Sequence, residues 1–231
     1  MMTSLPDGYR ALVIGASGGI GHAFVEALQA DRRCAAVTAV TRQQPCDWDL
    51  QDPASMARLA DRLDPGPYHF VIDATGALTI DGRGPEKRLT DLESDGLQAS
   101  LAINTAGPLL LLRHLHHRLA RGEPAIWAKL SARVGSIEDN RKGGWYSYRM
   151  AKAALNQGLQ TAAIELVRQR PQLVVAALQP GTVASRLSEP FVGASGTPAS
   201  EAVQGLLQAL NRLRPTGRAQ FVDHAGQTIP W

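Results

Sequence analysis

A tyrosine and a lysine four residues apart, Tyr148 and Lys152, form the pair in this sequence with the clearest capacity for chemistry. On a helix, residues four apart share one face, with Cβ atoms about 5–6 Å apart. A free phenol has a pKa of about 10, and a neighbouring ammonium group lowers it because it favours the phenolate. We therefore predict that Lys152 lowers the pKa of Tyr148 and makes it a general acid near neutral pH.

A glycine-rich segment near the N-terminus, Gly15-Ala16-Ser17-Gly18-Gly19-Ile20-Gly21, gives this pair a context. It follows the apolar run Ala11-Leu12-Val13-Ile14, which predicts a short buried strand, and it precedes apolar residues at helical spacing. This arrangement suits a dinucleotide-binding loop, because small residues let the backbone approach a pyrophosphate at a helix N-terminus. An ordinary strand–helix turn is the alternative, and the presence of Tyr148 and Lys152 favours the binding loop.

Together the two motifs resemble the short-chain dehydrogenase/reductase family, whose loop reads G-x-x-x-G-x-G, as Gly15, Gly19 and Gly21 do here. Asn104 falls where that family has a helix asparagine, and Pro180-Gly181-Thr182-Val183 falls at its P-G motif after a strand. The resemblance covers nearly the whole chain. It implies hydride transfer between a nicotinamide cofactor and a small carbonyl or alcohol substrate, namely an aldehyde, a ketone or a quinone.

Three shorter segments are similar to the C-factor-like carbonyl reductase branch of the family: Val134-Gly135-Ser136-Ile137, Gly143-Gly144-Trp145-Tyr146 and Ala153-Ala154-Leu155-Asn156. This likeness keeps a second function open, that of a cofactor-binding signalling or redox-sensing protein with little turnover. The intact Tyr148 and Lys152 favour catalysis, because a pure binder has no need of a tuned phenol.

The resemblance assigns roles to three side chains. Tyr148 would protonate the carbonyl oxygen of the substrate. Lys152 would lower the pKa of the tyrosine and bind the nicotinamide ribose. Asn104 would hold a water molecule that links Lys152 to solvent. From the sequence alone, Asn104 is as well explained as a helix-kink residue that satisfies backbone groups near Pro108.

One expected hydroxyl is absent. The family usually has two serines three and four residues before the glycine that is here Gly135, and this chain has Ser131-Ala132. The position that normally bonds the substrate carbonyl is therefore alanine. We predict that Ser136, just beyond the glycine, reaches the substrate instead, and that Ser131 contacts the cofactor. The alternative is that Tyr148 works without such a partner.

Arg42, at the end of the second predicted strand, indicates the kind of nicotinamide cofactor. In dinucleotide-binding folds an acidic residue here bonds the ribose 2′-hydroxyl, whereas an arginine accommodates a 2′-phosphate. The guanidinium fork suits phosphate, so we predict NADP(H) rather than NAD(H). The alternative is a solvated surface arginine.

The remaining cofactor contacts are predicted from the family pattern. Asp49-Leu50 resembles its acidic-plus-apolar pair at the adenine ring, although Asp52-Pro53 nearby also fits a helix start. Asp73-Ala74-Thr75-Gly76 replaces the family's N-N-A-G. The complete predicted set is Gly15, Ser17, Gly19, Ile20, Gly21, Arg42, Asp49, Leu50, Ala74, Thr75, Gly76, Ser131, Tyr148, Lys152, Pro180, Gly181 and Val183.

Apolar runs alternate with helical patterns along the chain, which predicts an α/β fold: a single-domain, doubly wound (Rossmann) parallel sheet with helices on both faces. We expect this NAD(P)-binding domain to cover residues 1–231, with a substrate lid around 184–198. Strands are predicted near 10–14, 35–41, 68–73, 125–130, 173–178 and 219–222, with a short one before Asp49. Helices are predicted near 19–30, 53–63, 92–119, 145–169 and 198–213.

Composition bears on partners and compartment. The 231 residues carry 24 basic and 21 acidic side chains, mixed along the chain, and a net charge of +3, which does not indicate nucleic-acid binding. Cys34 and Cys46 match no metal-binding or redox spacing, and His114 and His117 lack a carboxylate partner, so no metal site is predicted. The N-terminus lacks a signal-peptide pattern, and no apolar run is long enough for a membrane span. We predict a cytoplasmic protein and, by analogy, a homodimer or homotetramer.

Overall fold

The computed structural model describes residues 1–184 and 196–231. Within them, one parallel sheet of six strands is flanked by helices. The strands are β1 Tyr9–Ile14, β2 Cys34–Val40, β3 Phe70–Asp73, β4 Ala125–Leu130, β5 Leu173–Gln179 and β6 Ala219–Asp223. The helices are α1 Gly19–Gln29, α2 Pro53–Arg62, α3 Ser94–Leu101, α4 Gly107–Leu115, α5 Tyr146–Leu166 and α6 Ala199–Arg212.

The strand order is β2-β1-β3-β4-β5-β6, so the winding direction reverses between β1 and β3. This confirms the predicted doubly wound fold. Strands β3, β4 and β5 are buried almost throughout, because helices cover both faces of the sheet. The carboxyl ends of β1, β3, β4 and β5 lie along one edge, where ligands bind in open sheets of this kind.

Successive residues of a strand point to opposite faces of the sheet and pack into two separate apolar cores. Leu12 and Ile14 of β1 face α2, α4 and α5, whereas Ala11 and Val13 face α1 and α6. No helix within residues 1–184 and 196–231 is both long enough and apolar enough to cross a membrane.

Two elements differ from the sequence prediction. The short strand before Asp49 is absent, because the segment after β2 bonds to itself: the Trp48 ring N–H donates to Thr41 O at 2.6 Å, and the Trp48 backbone N–H to Arg42 O at 3.1 Å. The predicted helix 92–119 is interrupted by a π-helical turn, Ala102–Ala106. Pro108 has no N–H to give to the carbonyl four residues earlier, and Gly107 N–H bonds Ala102 O five residues back.

The predicted lid around 184–198 falls largely on residues 185–195, outside the described part of the chain. Its described flanks pair with each other. Ala184 N–H donates to Thr197 O at 2.9 Å, and Thr197 N–H donates to Thr182 O at 2.8 Å.

Candidate active site

The glycine-rich segment forms the turn between β1 and α1. Gly15 has a φ of +84°, and its N–H and that of Ala16 both donate to Val40 O at 2.9 Å. A Cβ on Gly21 would lie 2.1 Å from Gly15 O, so this position admits only glycine without rearrangement. Ser17 and Gly19 are exposed where α1 begins, and the unpaired N–H groups of a helix start suit a pyrophosphate.

Arg42 lies beside this turn, because it follows Val40 by two residues and Val40 O holds the turn's two N–H groups. Its side chain is exposed. The position fits a cation that meets a phosphate on the ribose next to the glycine turn. The residues present therefore suit a phosphorylated dinucleotide.

The predicted adenine pair is tied into the start of α2. Asp49 Oδ1 accepts from Gln51 N–H at 2.7 Å, and Asp52 caps the helix by accepting from Ala54 N–H at 2.9 Å. Leu50 packs on Gly107, where a Cβ would lie 2.6 Å from Leu50 O. This segment therefore does form the start of a helix, as the alternative interpretation expected. The Asp49 side chain nevertheless remains exposed at the surface.

The segment after β3 brings the backbone up to the Tyr148–Lys152 pair. Ala74 N–H donates to Ile14 O at 2.8 Å, and Thr75 N–H donates to Asp73 Oδ1 at 2.9 Å. Gly76 has a φ of +142°, and a Cβ there would lie 3.1 Å from Asn104 Oδ1 and 3.6 Å from Lys152 Nζ. The absence of a side chain at Gly76 therefore leaves room for both groups.

Tyr148 and Lys152 share one face of α5, as predicted. Lys152 is 2% exposed, its Nζ lies 5.5 Å from the Tyr148 ring centroid, and it donates to Leu130 O at 3.1 Å. Burial lowers the pKa of Lys152 to about 7; the charge of Lys129 acts in the same direction and Asp73 opposes it. Burial also raises the pKa of Tyr148. The predicted lowering of the Tyr148 pKa is therefore wrong for this structure, because loss of water penalises the phenolate.

Asn104 is fully buried in the π-helical turn. Its Oδ1 accepts from Ala77 N–H at 3.0 Å, and its Nδ2 donates to Ala77 O at 2.9 Å. The side chain satisfies backbone in the loop after β3 rather than near Pro108. It thereby fixes that loop against Lys152, and its predicted bond to a water molecule stays a prediction.

A cleft of about 760 Å³, here called the main cleft, opens beside Tyr148 at the carboxyl edge of the sheet. Gly181 has a φ of +80°, which lets the chain turn after β5 towards the cleft. The predicted site residues that line it are Ile20, Ser131, Tyr148, Pro180, Gly181 and Val183.

Comparison with known proteins gives the family. No family model matches the chain. C-signal of Myxococcus xanthus is 30% identical over 177 residues, which are 76% of this chain and 100% of that protein. A 1-hydroxy-2-glutathionyl-2-methyl-3-butene dehydrogenase of Rhodococcus sp. (strain AD45) is 29% identical over 95% of this chain and 98% of its own. The chain belongs to the short-chain dehydrogenase/reductase family.

Solved structures agree on the fold of this short-chain dehydrogenase/reductase. NADPH-bound carbonyl reductase from chicken fatty liver has a TM-score of 0.81 at 23% identity, over 98% of this chain and 100% of that one. Carbonyl reductase Sniffer of D. melanogaster has a TM-score of 0.78 at 20% identity, over 97% of this chain and 99% of that one. The predicted family is confirmed, and the protein is an oxidoreductase of that family.

At the position where the family usually has a serine, the described part of the cleft lining has an alanine. Ala132 lines the main cleft, and Ser131 Oγ donates to Asn156 Oδ1 at 2.6 Å. Ser136 is 1% exposed, is not among the lining residues, and its Oγ accepts from Asp139 N–H at 3.0 Å. Its role at the substrate stays a prediction, which its placement in this turn does not support.

Sequence reasoning missed two groups that hold the site together. Lys129 of β4 is 1% exposed and lies 3.1 Å from Asp73 Oδ1, its neighbour in register on β3. The sequence did contain a signal for this ion pair, because each of the two apolar strands carries one charged residue, Asp73 on β3 and Lys129 on β4. The second group is Glu86, whose carboxylate accepts from both the N–H and the hydroxyl of Ser147. Because Glu86 lies in an irregular loop far along the chain from Ser147, no local pattern revealed it.

Proposed function

We propose that the protein reduces an aldehyde, ketone or quinone with NADPH and catalyses the reverse alcohol oxidation with NADP⁺. The observation that carries the proposal is that Tyr148 lines the main cleft with the buried Lys152 amine 5.5 Å behind its ring, at the same edge of the sheet as the turn built by Gly15 and Gly21. A proton donor and a dinucleotide-type turn at one sheet edge are the parts that carbonyl reduction needs.

The residues divide the binding between them. The N–H groups at the start of α1 would hold the pyrophosphate, and Arg42 would hold the 2′-phosphate. Ile20 and residues 180–183 would enclose the nicotinamide end, where Lys152 would donate to the ribose. When bound, the nicotinamide supplies the hydride that the carbonyl carbon accepts.

The raised pKa of Tyr148 keeps its phenol protonated at neutral pH, so Tyr148 is ready to act as the acid in reduction. Its Oη gives a proton to the carbonyl oxygen. Protonated Lys152 stabilises the phenolate that remains, and its pKa of about 7 allows it to pass a proton on. Asn104 and Gly76 keep the surrounding backbone in place.

The test is NADPH and NADH consumption with a panel of aldehydes, ketones and quinones. Tyr148→Phe keeps the ring and removes the proton donor, so we expect a loss of turnover of at least about 100-fold with cofactor affinity retained. Arg42→Ala is expected to raise the KM for NADPH at least about tenfold and to leave the KM for NADH unchanged. A wild-type enzyme that prefers NADH contradicts the cofactor assignment.

The second candidate is a cofactor-binding signalling or redox-sensing protein with little turnover. Ala132 at the usual serine position supports it, and so does the similarity to a protein named C-signal. Tight NADPH binding without turnover of any substrate in the panel would favour this candidate.

We also propose a homodimer or homotetramer that pairs through α5 and the Asn104 region. Exposed Met150 and Ile164 on α5 support this assembly, because large apolar side chains on one helix favour burial in an interface. Sedimentation of the wild type and of Met150→Asp tests it, and a monomeric wild type contradicts it.

A further inference from the structure

One wall of the main cleft is strongly basic. It is formed by the segment after β4, the segment before α5 and the first turns of α5, and among residues 1–184 and 196–231 it contains one carboxylate, Asp139. We call the four basic side chains on it the cationic wall: Arg133, Arg141, Lys142 and Arg149. They line the same cleft as Tyr148, and Arg42 is not among the residues that line it.

One of the four charges is balanced within the protein. Arg133 is 3.0 Å from Asp223 and 3.4 Å from Asp139, so the carboxylate on this wall is engaged as well. The charge of Arg133 is therefore neutralised by carboxylates of the protein itself. This pairing leaves Arg141, Lys142 and Arg149 as the charges available to a ligand.

Those three cations have no carboxylate within salt-bridge distance in residues 1–184 and 196–231. Arg141 and Lys142 are exposed. The Arg149 guanidinium donates to neutral carbonyls, at 2.9 Å to Gly144 O, 3.1 Å to Gly143 O and 3.4 Å to Val134 O, so its charge is not cancelled. Its terminal nitrogens keep N–H groups that these bonds do not use.

The opposite side of Tyr148 has the reverse charge. A second cleft of about 570 Å³, the acidic cleft, shares Leu78 and Tyr148 with the main cleft. Among the described residues it is lined by one basic side chain, Arg83, and by the carboxylates of Asp81, Glu86, Asp91, Glu93 and Asp95. A negatively charged molecule that approaches Tyr148 is repelled from the acidic cleft and attracted to the cationic wall.

We propose that the carbonyl substrate of this site carries a carboxylate, which Arg141, Lys142 and Arg149 bind while the carbonyl oxygen faces Tyr148. A guanidinium binds a carboxylate through two parallel hydrogen bonds, which also fixes its orientation. The acidic cleft excludes the reversed pose. This substrate class rests on the proposed reductase function.

The test compares two aldehydes that differ in charge and by one methyl group, 4-formylbenzoate and its methyl ester, with NADPH. The wild type is expected to prefer the anion in kcat/KM. Each exposed charge contributes about 2- to 5-fold, so Arg141→Ala/Lys142→Ala should reduce the preference about 4- to 25-fold. The matched control Arg32→Ala/Arg168→Ala removes the same charge from exposed sites outside the cleft and should not change the preference. Salt raised from about 0.05 M to about 0.5 M should weaken the wild-type preference.

A binding measurement separates this inference from the reductase function. The NADPH-loaded enzyme is titrated with 4-(hydroxymethyl)benzoate and with its methyl ester, since neither alcohol reacts when the cofactor is already reduced. Tighter binding of the anion, lost in Arg141→Ala/Lys142→Ala, supports the inference even if neither aldehyde is turned over, a result that would overturn only the reductase function. Equal affinities, or a preference that the double variant retains, overturn the inference even if both aldehydes are reduced.

Discussion

The Glu86 carboxylate accepts hydrogen bonds from both the backbone N–H and the hydroxyl of Ser147, the residue that precedes Tyr148 in the first turn of α5. Trp145, at the N-cap of that helix, is left-handed with φ 55° and has no side-chain cap bond of its own. Its N–H donates to Glu86 O at 2.5 Å. A loop distant along the chain thus supplies the cap, which holds the helix start and with it Tyr148.

Loss of this cap should affect chemistry more than cofactor binding. We expect Glu86→Ala to cost about 1 kcal/mol of unfolding free energy and to lower kcat about 10- to 100-fold, because a small shift of Tyr148 spoils proton transfer. The dissociation constant for NADPH should change less than about twofold, since the glycine turn is untouched. Steady-state kinetics and cofactor fluorescence check this.

Glu93→Ala is the matched control for Glu86→Ala. Glu93 lines the same acidic cleft and bonds the exposed Arg83 at 2.8 Å. Its removal should leave kcat within about twofold of the wild type, because an exposed ion pair contributes little. Equal effects of the two variants would show that cleft charge, and not the helix cap, matters.

The buried pair of Asp73 and Lys129 should be strongly coupled. Lys129→Met leaves a buried carboxylate without its cation and is expected to cost about 3–5 kcal/mol in urea unfolding. Asp73→Asn/Lys129→Met removes both charges and should recover at least half of that loss. Additive effects in the double-mutant cycle would show that the two side chains do not stabilise each other.

The lowered pKa of Lys152 makes stability depend on pH in a definite direction. In the folded protein the group loses its proton near pH 7, whereas the ordinary value of 10.5 applies when the chain is unfolded. Between these values the unfolded state binds more protons, so stability rises with pH from about 7 to 10.5. The cost of the buried charge is complete below pH 7. Lys152→Met should therefore stabilise the protein most at pH 6 and progressively less towards pH 10.

Urea unfolding at pH 6 and pH 9.5 checks the pH effect, with Lys142→Met as the matched control. Lys142 is exposed, so this variant removes the same charge without removing a buried one. Its effect should be small at both values. A Lys152→Met gain that is equal at pH 6 and pH 9.5 would contradict the lowered pKa.

The sequence was sufficient to predict the parallel sheet and to associate the glycine-rich segment with Tyr148 and Lys152. Apolar runs and glycine spacing are local signals that can be read without the fold. The sequence also predicted that Tyr148 and Lys152 share a helix face, since that follows from helical spacing alone. It predicted the wrong direction for the Tyr148 pKa, because that direction depends on how much water the fold removes. Glu86 and Lys129 were also missed, because their partners are brought to them only by tertiary packing.

Gly21 and Gly18 offer a paired test of the glycine turn. A Cβ on Gly21 would lie 2.1 Å from Gly15 O, a backbone atom that cannot move without distorting the turn. A Cβ on Gly18 would lie 3.4 Å from the same oxygen, which is ordinary contact, and its φ of −78° suits any residue.

We therefore expect Gly21→Ala to weaken NADPH binding at least about tenfold and Gly18→Ala to change it less than about threefold. Titration of NADPH fluorescence measures both, and circular dichroism checks that each variant is folded. If a folded Gly21→Ala binds NADPH as tightly as Gly18→Ala does, the cofactor does not depend on this turn.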